Sequence, residues 1–212
     1  MPRTVHPERH RTARIGWLRA AVLAAPGVLT PLGVAVLVGC GVPTGWGSAV
    51  YAAEVTPGDT VVIYGIGGIG ANAVQGARCA GATNIIAVDP LANKREAAEQ
   101  MGATHAVASA EEAQNLITQL TRGVGADKAI ITVDIVNEEV VGNAVNAIRK
   151  GGTEVITGLA DPTKFTVHLS GAMMTLFEKT VKGTLFGSSN PMRDIPKILE
   201  LYRAGQVKLD EL

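Results

Sequence analysis

The stretch TVVIYGIGGIGANAVQGARCAGATNIIAVD, residues 60–89, decides the fold class. It begins with a short run of β-branched residues that ends at a cluster of glycines. A segment with the pattern of a helix follows and ends near Gly81, and a second apolar run, NIIAV, comes next. A strand, a glycine turn, a helix and a second strand within about 30 residues indicate a βαβ unit with parallel strands.

The same alternation continues towards the C-terminus. Short runs rich in Val and Ile alternate with helical patterns, which indicates a parallel sheet covered on both faces. We therefore predict an α/β protein with a doubly wound parallel six-stranded sheet, the Rossmann fold. Glycines just past the helices fit helix C-terminal caps, and we expect this role for Gly81, Gly123 and Gly151. The four further strands are expected at HAVAS (105–109), KAIITVD (128–134), TEVITG (153–158) and VKGTLFG (181–187).

Three glycines follow the first strand in a G-x-G-x-x-G spacing: Gly65, Gly67 and Gly70. Alone this pattern is weakly specific, but here it joins a strand to a helix, and Asp89 ends the next strand about 20 residues on. Gly65 would permit the tight turn, Gly67 the approach of a pyrophosphate, and Gly70 the close packing of the helix. Unpaired N–H groups at the helix start would bind the phosphates.

Asp89 is expected to determine which dinucleotide binds. A carboxylate accepts hydrogen bonds from the two hydroxyls of an adenosine ribose and repels a 2′-phosphate, so NAD is favoured over NADP. The alternative interpretation is a glycine-rich turn with a surface aspartate and no ligand.

Charge and cysteine content limit the function classes. The formal net charge is zero and aromatic residues make up 4% of the chain, so no overall charge favours nucleic acid. The chain has only two cysteines, which provide no disulfide framework and suit a reducing cytoplasm. We expect a cytoplasmic protein with no nucleic-acid or membrane partner.

The N-terminal segment has a different composition from the remainder. Residues 1–19 contain five arginines and one glutamate, and an Ala-, Val- and Leu-rich run interrupted by Pro26 and Pro31 follows. A cleaved secretory signal and a membrane anchor are alternatives to an unstructured leader. We expect residues 1–33 to be a leader outside the fold, from a mistranslated or misplaced start, and residues 34–212 to form the NAD-binding domain.

The run GCGVPTGWGSAV (39–50), the loop GIGGIG (65–70) and Asp89 resemble the zinc-dependent medium-chain alcohol dehydrogenases. The resemblance is closest to the nitrosodimethylaniline-dependent subgroup and extends from about Val34 to the C-terminus. It covers the coenzyme-binding domain of that family. The family's N-terminal catalytic domain and its extreme C-terminus are expected to be absent from this sequence.

The resemblance implies a role for individual residues. Cys40 matches a ligand of the catalytic zinc, and Thr44 and Ile69 match residues beside the nicotinamide ring, Thr44 as a catalytic residue. Asp89 and Lys94 match the pair that holds the adenosine ribose. The other implied cofactor-binding residues belong to the glycine loop or to the carboxamide end of the cofactor: Ile66, Gly68, Thr157, Gly158, Leu159 and Phe186.

The resemblance also implies partners and a reaction. The family transfers hydride between an alcohol or aldehyde and NAD, with zinc as the metal cofactor. It pairs edge strands across a two-fold axis, which implies a homodimer through residues 165–169 and 181–186. One thiolate at Cys40 supplies only one of the three or four ligands that zinc requires, and His6 and His10 have no carboxylate partner nearby.

Two alternatives to an active alcohol dehydrogenase stay open. The chain could be a catalytically inactive NAD-binding and dimerisation module. It could instead be a zinc-free reductase of the quinone reductase type, against which Cys40 and Asp89 argue because that branch generally uses NADPH and lacks the cysteine.

Overall fold

The computed structural model describes residues 37–160, 163 and 166–212. Residue contacts divide the chain into a unit Met1–Leu37 and a unit Val38–Leu212, and the second unit contains the strands and helices of the fold. The leader predicted over residues 1–33, with His6 and His10, lies outside the described residues.

The second unit alternates strands and helices along the chain. The strands are β1 (Thr60–Tyr64), β2 (Asn84–Val88), β3 (His105–Val107), β4 (Ala126–Ile131), β5 (Ile135–Val136), β6 (Ile148–Ile156), β7 (Leu159–Ala160) and β8 (Thr180–Gly183). The α-helices are α1 (Gly41–Gly47), α2 (Gly68–Cys79), α3 (Ala92–Met101), α4 (Ala110–Leu120), α5 (Glu138–Ala147), α6 (Gly171–Leu176) and α7 (Pro191–Arg203). A π-helix (Ser48–Ala52) continues α1, and a 3₁₀ turn (Phe186–Ser188) precedes α7.

Six strands form one parallel sheet in the order β3-β2-β1-β4-β6-β8. The short strands β5 and β7 pair separately with each other. With those two set aside, the order is that of the doubly wound dinucleotide-binding fold. The predicted six-stranded Rossmann sheet is therefore confirmed.

Alternate residues of the central strands β1 and β2 enter two separate hydrophobic cores. Val61 and Ile63 of β1 pack with α2 and α3 on one face. Val62 and Tyr64 pack with α4 and α5 on the other face. Because both faces of β1 are covered, all five of its residues are buried, which explains the continuous apolar run in the sequence.

Two of the three expected glycine caps follow helices. Gly81 (φ 91°) and Gly123 (φ 82°) adopt the left-handed conformation just beyond α2 and α4. The expectation for Gly151 is wrong, because α5 ends at Ala147 and β6 begins at the next residue. Gly151 lies within β6 with a φ of 67°, between Ile148 and Thr153, where the register with β4 shifts.

The C-terminal residues supply the last strand of the sheet, β8, and a buried segment after α7. β8 lies at the end of the sheet beyond β6. Residues 166–169, the described part of the edge strand predicted over 165–169, have no regular secondary structure, so the strand prediction is wrong for them. Residues Val207 and Leu209, after α7, are buried. Within the described ranges no helix combines the length and hydropathy needed to cross a bilayer.

Candidate functional site

A cleft of about 850 Å³ opens at the carboxyl ends of the parallel strands. The loops after β1, β2, β3, β4 and β6 line it, and β1 and β4 are neighbours in the sheet. The chain runs outward from this pair in opposite directions, through β2 and β3 on one side and β6 and β8 on the other. Open α/β sheets bind ligands at such a switch point.

The glycine loop has the geometry that the sequence predicts. Gly65 has a φ of 88°, and a Cβ there would lie 2.9 Å from Val133. A Cβ on Gly70 would lie 2.0 Å from the carbonyl oxygen of Gly65, so only glycine lets α2 begin this close to the strand. Gly67 faces open space, with no atom within 4 Å of a built Cβ.

The N-terminus of α2 faces this cleft through Gly68 and Ile69. No side chain caps it, whereas Ser109, Asn137 and Asn190 cap α4, α5 and α7. The first N–H groups of an α-helix have no intrahelical acceptor, and the helix dipole places positive potential there. The loop therefore presents main-chain donors to an anionic group in the cleft.

Asp89 lies on the other side of the loop and is 4% exposed. One carboxylate oxygen accepts the N–H of Ile66 at 2.8 Å, and the other accepts the N–H of Leu91 at 3.0 Å. The ammonium of Lys94 lies 3.9 Å from the first oxygen. The side chain is thus fixed against the glycine loop, and each oxygen keeps lone pairs for a hydroxyl donor.

The opposite side of the cleft is formed by the end of β6. Thr157, Gly158 and Leu159 line it, and Leu159 is 79% exposed. The hydroxyls of Thr157 and Ser48 lie 2.9 Å apart, and the N–H groups of Thr157 and Gly158 both donate to the carbonyl of Ile131. The main chain at this end is therefore firmly positioned.

The structure does not bring every predicted residue to the cleft surface. Gly65, Ile66, Gly67, Gly68, Ile69, Asp89, Lys94, Thr157, Gly158 and Leu159 line it. Gly70 is buried behind the loop. Cys40, Thr44 and Phe186 do not line the cleft, and Thr44 donates its hydroxyl to the carbonyl of Cys40 at 2.7 Å.

The thiol of Cys40 is exposed at the N-terminus of α1. Across the residues that the structure describes, no three His, Cys, Asp or Glu side chains are grouped as metal ligands would be. A zinc ion requires three or four such donors, so the described residues do not fit a catalytic zinc site.

Sequence reasoning missed the contribution of β4. Thr132 donates its hydroxyl to the carbonyl of Gly65 at 2.6 Å and to that of Tyr64 at 3.1 Å, which fixes the loop from behind. Val133 and Asp134 line the cleft beside it. These residues could have been found from their position at the carboxyl end of a strand next to β1. The sequence of one segment does not show which strands are neighbours in the sheet.

Comparison with known proteins agrees with this architecture. A sequence model described as zinc-binding dehydrogenase matches residues 68–203. An NDMA-dependent alcohol dehydrogenase of Amycolatopsis methanolica is 68% identical over 182 residues, which are 86% of this chain and 49% of that protein. The chain thus spans about half the length of the curated relatives it matches.

Solved structures give the same result. Benzyl alcohol dehydrogenase from Acinetobacter calcoaceticus has a TM-score of 0.80 at 30% identity, over 88% of this chain and 51% of that chain. A zinc-binding dehydrogenase from Sinorhizobium meliloti 1021, solved bound to NADP, has a TM-score of 0.66 at 28% identity, over 79% of this chain and 48% of that one. The chain therefore belongs to the zinc-dependent medium-chain alcohol dehydrogenase family, in the subgroup of the NDMA-dependent enzyme.

Proposed function

We propose that the cleft binds NAD, with the pyrophosphate on the glycine loop and the adenosine ribose on Asp89. The observation that carries this proposal is the buried Asp89 carboxylate, held 2.8 Å from the N–H of Ile66. A ribose bound there would have its hydroxyls beside a fixed anion, and a 2′-phosphate would be repelled by it. Lys94 would contact the same ribose.

The remaining cofactor contacts are proposed at the other end of the cleft. The backbone at Thr157, Gly158 and Leu159 would meet the carboxamide, and Ile69 would pack against the nicotinamide ring. Thr44 and Phe186 would complete the ring site, and their contribution is supported by family membership alone. In this arrangement the chain holds and orients the dinucleotide that accepts hydride from an alcohol or donates it to an aldehyde.

For the whole protein we propose the activity of a zinc-dependent alcohol dehydrogenase that acts on an alcohol or aldehyde. Cys40 would contribute one thiolate ligand to zinc. Because the described residues do not complete a zinc site, the role proposed for them in the reaction is confined to binding the dinucleotide. A homodimer through residues 165–169 and 181–186 is part of this proposal, and the position of β8 at an end of the sheet supports it.

The second candidate function is a catalytically inactive module that binds NAD and dimerises. The exposure of Cys40 favours it, together with the finding that no group of metal-ligating side chains forms among the described residues. Both candidates share the dinucleotide site, so they are separated by zinc content and turnover.

The dinucleotide assignment is tested by titrating the protein with NADH and NADPH in a calorimeter. We expect NADH to bind at least about tenfold more tightly, because like charges near Asp89 oppose the 2′-phosphate. Asp89→Asn should reduce this ratio towards one. A general distortion of the loop would weaken both ligands equally and leave the ratio of their affinities unchanged, because they differ only in the 2′-phosphate.

Glu96→Gln is the matched control, because Glu96 is an exposed carboxylate on α3 that does not line the cleft. It should leave the NADH to NADPH ratio unchanged. Equal affinity for the two ligands in the unmodified protein would overturn the NAD assignment, and failure of both to bind would overturn the site.

A further inference from the structure

Two buried amide side chains of α2 follow the glycine loop and do not line the cleft. Asn72 and Gln75 of α2 are 1% and 0% exposed. Burying an amide is costly unless its donors and acceptors are hydrogen-bonded. The hydrogen-bond partners of these two amides therefore indicate which segments α2 holds in place.

Gln75 binds the main chain of the segment after α7. Its amide nitrogen donates to the carbonyl of Lys208 at 2.9 Å, and its amide oxygen accepts the N–H of Lys208 at 2.6 Å. Val207 and Leu209 on either side are 2% and 1% exposed. The segment Gln206–Leu209, which we call the tail, is thus held by a two-bond clamp and two apolar anchors.

Asn72 continues this chain of hydrogen bonds to the cleft. Its amide oxygen accepts from Gln75 at 3.1 Å, and its amide nitrogen donates to the carbonyl of Gly68 at 2.7 Å. Gly68 lines the cleft in the first turn of α2. An unbroken set of hydrogen bonds therefore runs from Lys208 through Gln75 and Asn72 to the glycine loop.

The arrangement leaves little room for substitution. In Gln75→Met the amide is lost, and the N–H and carbonyl of Lys208 lose their partners. Asn72 loses a donor at the same time. No side chain caps the N-terminus of α2. The Asn72 amide, which donates to the carbonyl of Gly68, is therefore a side-chain contact that holds the first turn of this helix.

We propose that Asn72 and Gln75 are positioning residues, through which the docked tail holds the first turn of α2 in the geometry that binds the dinucleotide phosphates. This inference rests on the proposed function of the cleft. Neither residue lines the cleft. The tail, 133 residues away from Gln75 in sequence, acts as part of the support of the phosphate site.

The test combines two readouts on the full chain, each for Gln75→Met and Asn72→Ala. Amide hydrogen exchange without ligand should be roughly tenfold faster at residues 71–74 in both variants, because Asn72→Ala removes the bond to Gly68 and Gln75→Met removes the bond that holds the Asn72 side chain. The tail should also exchange faster in Gln75→Met but not in Asn72→Ala, where its clamp remains. NADH should bind roughly five- to tenfold more weakly to both.

Gln119→Met is the matched control, because Gln119 is an exposed amide on α4 outside this network; it should change neither readout. Asn72→Ala keeps the test decisive if Gln75→Met does not fold. Unchanged exchange at residues 71–74, or unchanged NADH affinity in a folded Asn72→Ala protein, overturns the inference. Absence of NADH and NADPH binding to the unmodified protein overturns instead the proposed function, while the exchange readout still tests whether the tail holds the turn.

Discussion

Glu154 is an ionisable residue whose burial is not evident from the sequence. It lies in β6, is fully buried, and neither carboxylate oxygen has a hydrogen-bond partner. Burial raises its pKa from 4.5 to about 8, and the nearby Lys179 ammonium opposes part of this rise. Tyr64 of β1 is close enough to interact with Glu154, and both burial and Glu154 raise the pKa of the Tyr64 hydroxyl. At neutral pH the carboxyl group is therefore mainly protonated.

This burial makes the stability of the protein depend on pH. The unfolded chain releases the Glu154 proton near pH 4.5 and the folded chain near pH 8. Between these values the folded state binds more protons, so stability falls as pH rises. Relative to Glu154→Gln, the free energy of unfolding should decrease by roughly 3–5 kcal/mol from about pH 5 to pH 8, measured by urea unfolding at several pH values.

Glu99→Gln, which neutralises an exposed carboxylate on α3, should give a curve parallel to that of the unmodified protein. Parallel curves for Glu154→Gln as well would mean that Glu154 is already ionised in the folded state. That result would contradict the burial assigned to it.

At the residue scale, the sequence predicts what a local pattern determines. Gly65, Gly67 and Asp89 occupy the predicted places because strand, turn and helix follow one another directly. Gln75 was missed because a glutamine in a helical pattern does not reveal a partner over 100 residues away. Glu154 was missed because a glutamate inside an apolar run does not reveal that it is buried. Burial of such residues depends on which elements pack together.

At the element scale, the π-helix after α1 is joined to α7 by an aromatic and ionic cluster. The hydroxyl of Tyr51 donates to Asp194 at 2.7 Å, and the guanidinium of Arg193 donates to both carboxylate oxygens. Burial alone would raise the pKa of Asp194, but hydrogen bonds from Arg193, Tyr51 and the N–H of Asn190 lower it to about 2. Asp194 is fully buried, so these bonds fix the helix.

Removing one donor tests this junction. Tyr51→Phe should lower the free energy of unfolding by about 1–2 kcal/mol at pH 7, because a hydrogen bond to a buried carboxylate is lost. Asp194 contributes stability above pH 3.8, its unfolded value, and loses it as pH falls towards 2. The variant should raise the pKa of Asp194, so its acid unfolding should begin at higher pH.

The control for Tyr51→Phe is Tyr202→Phe, which removes a bond of the same 2.7 Å length to the exposed Asp210. That change should cost less than about 0.5 kcal/mol. Equal losses from both substitutions in urea unfolding would show that burial of Asp194 adds nothing to the junction.

Element boundaries were less predictable than element order. The helix predicted to end at Gly151 ends instead at Ala147, and β6 begins without an intervening loop. A glycine after a helical pattern indicates a cap, but Gly151 takes its positive φ inside a strand. Register with β4 sets the start of β6, and pairing between strands is not encoded in the local segment.

At the scale of the whole molecule, the parallel sheet gathers the loops of five strands, β1, β2, β3, β4 and β6, at one edge, and the candidate site follows from that topology. The doubly wound parallel sheet could be predicted because short apolar strands alternate with helices along the chain. The sequence already predicts an incomplete zinc site, since Cys40 supplies one of the three or four ligands required, but it does not show where the Cys40 thiol lies. The structure shows it exposed and outside the cleft.

The isolated polypeptide should therefore bind NADH without holding zinc. One thiolate supplies a single ligand, and tetrahedral zinc needs three protein donors and an open position for catalysis. After dialysis, metal analysis should find far less than one zinc per chain, and alcohols should produce no NADH. Cys40→Ser should leave the affinity for NADH within about twofold, because the thiol lies away from the cleft. One zinc per chain with alcohol-dependent NADH formation, both lost in Cys40→Ser, would contradict this expectation and favour the active dehydrogenase over the dinucleotide-binding module.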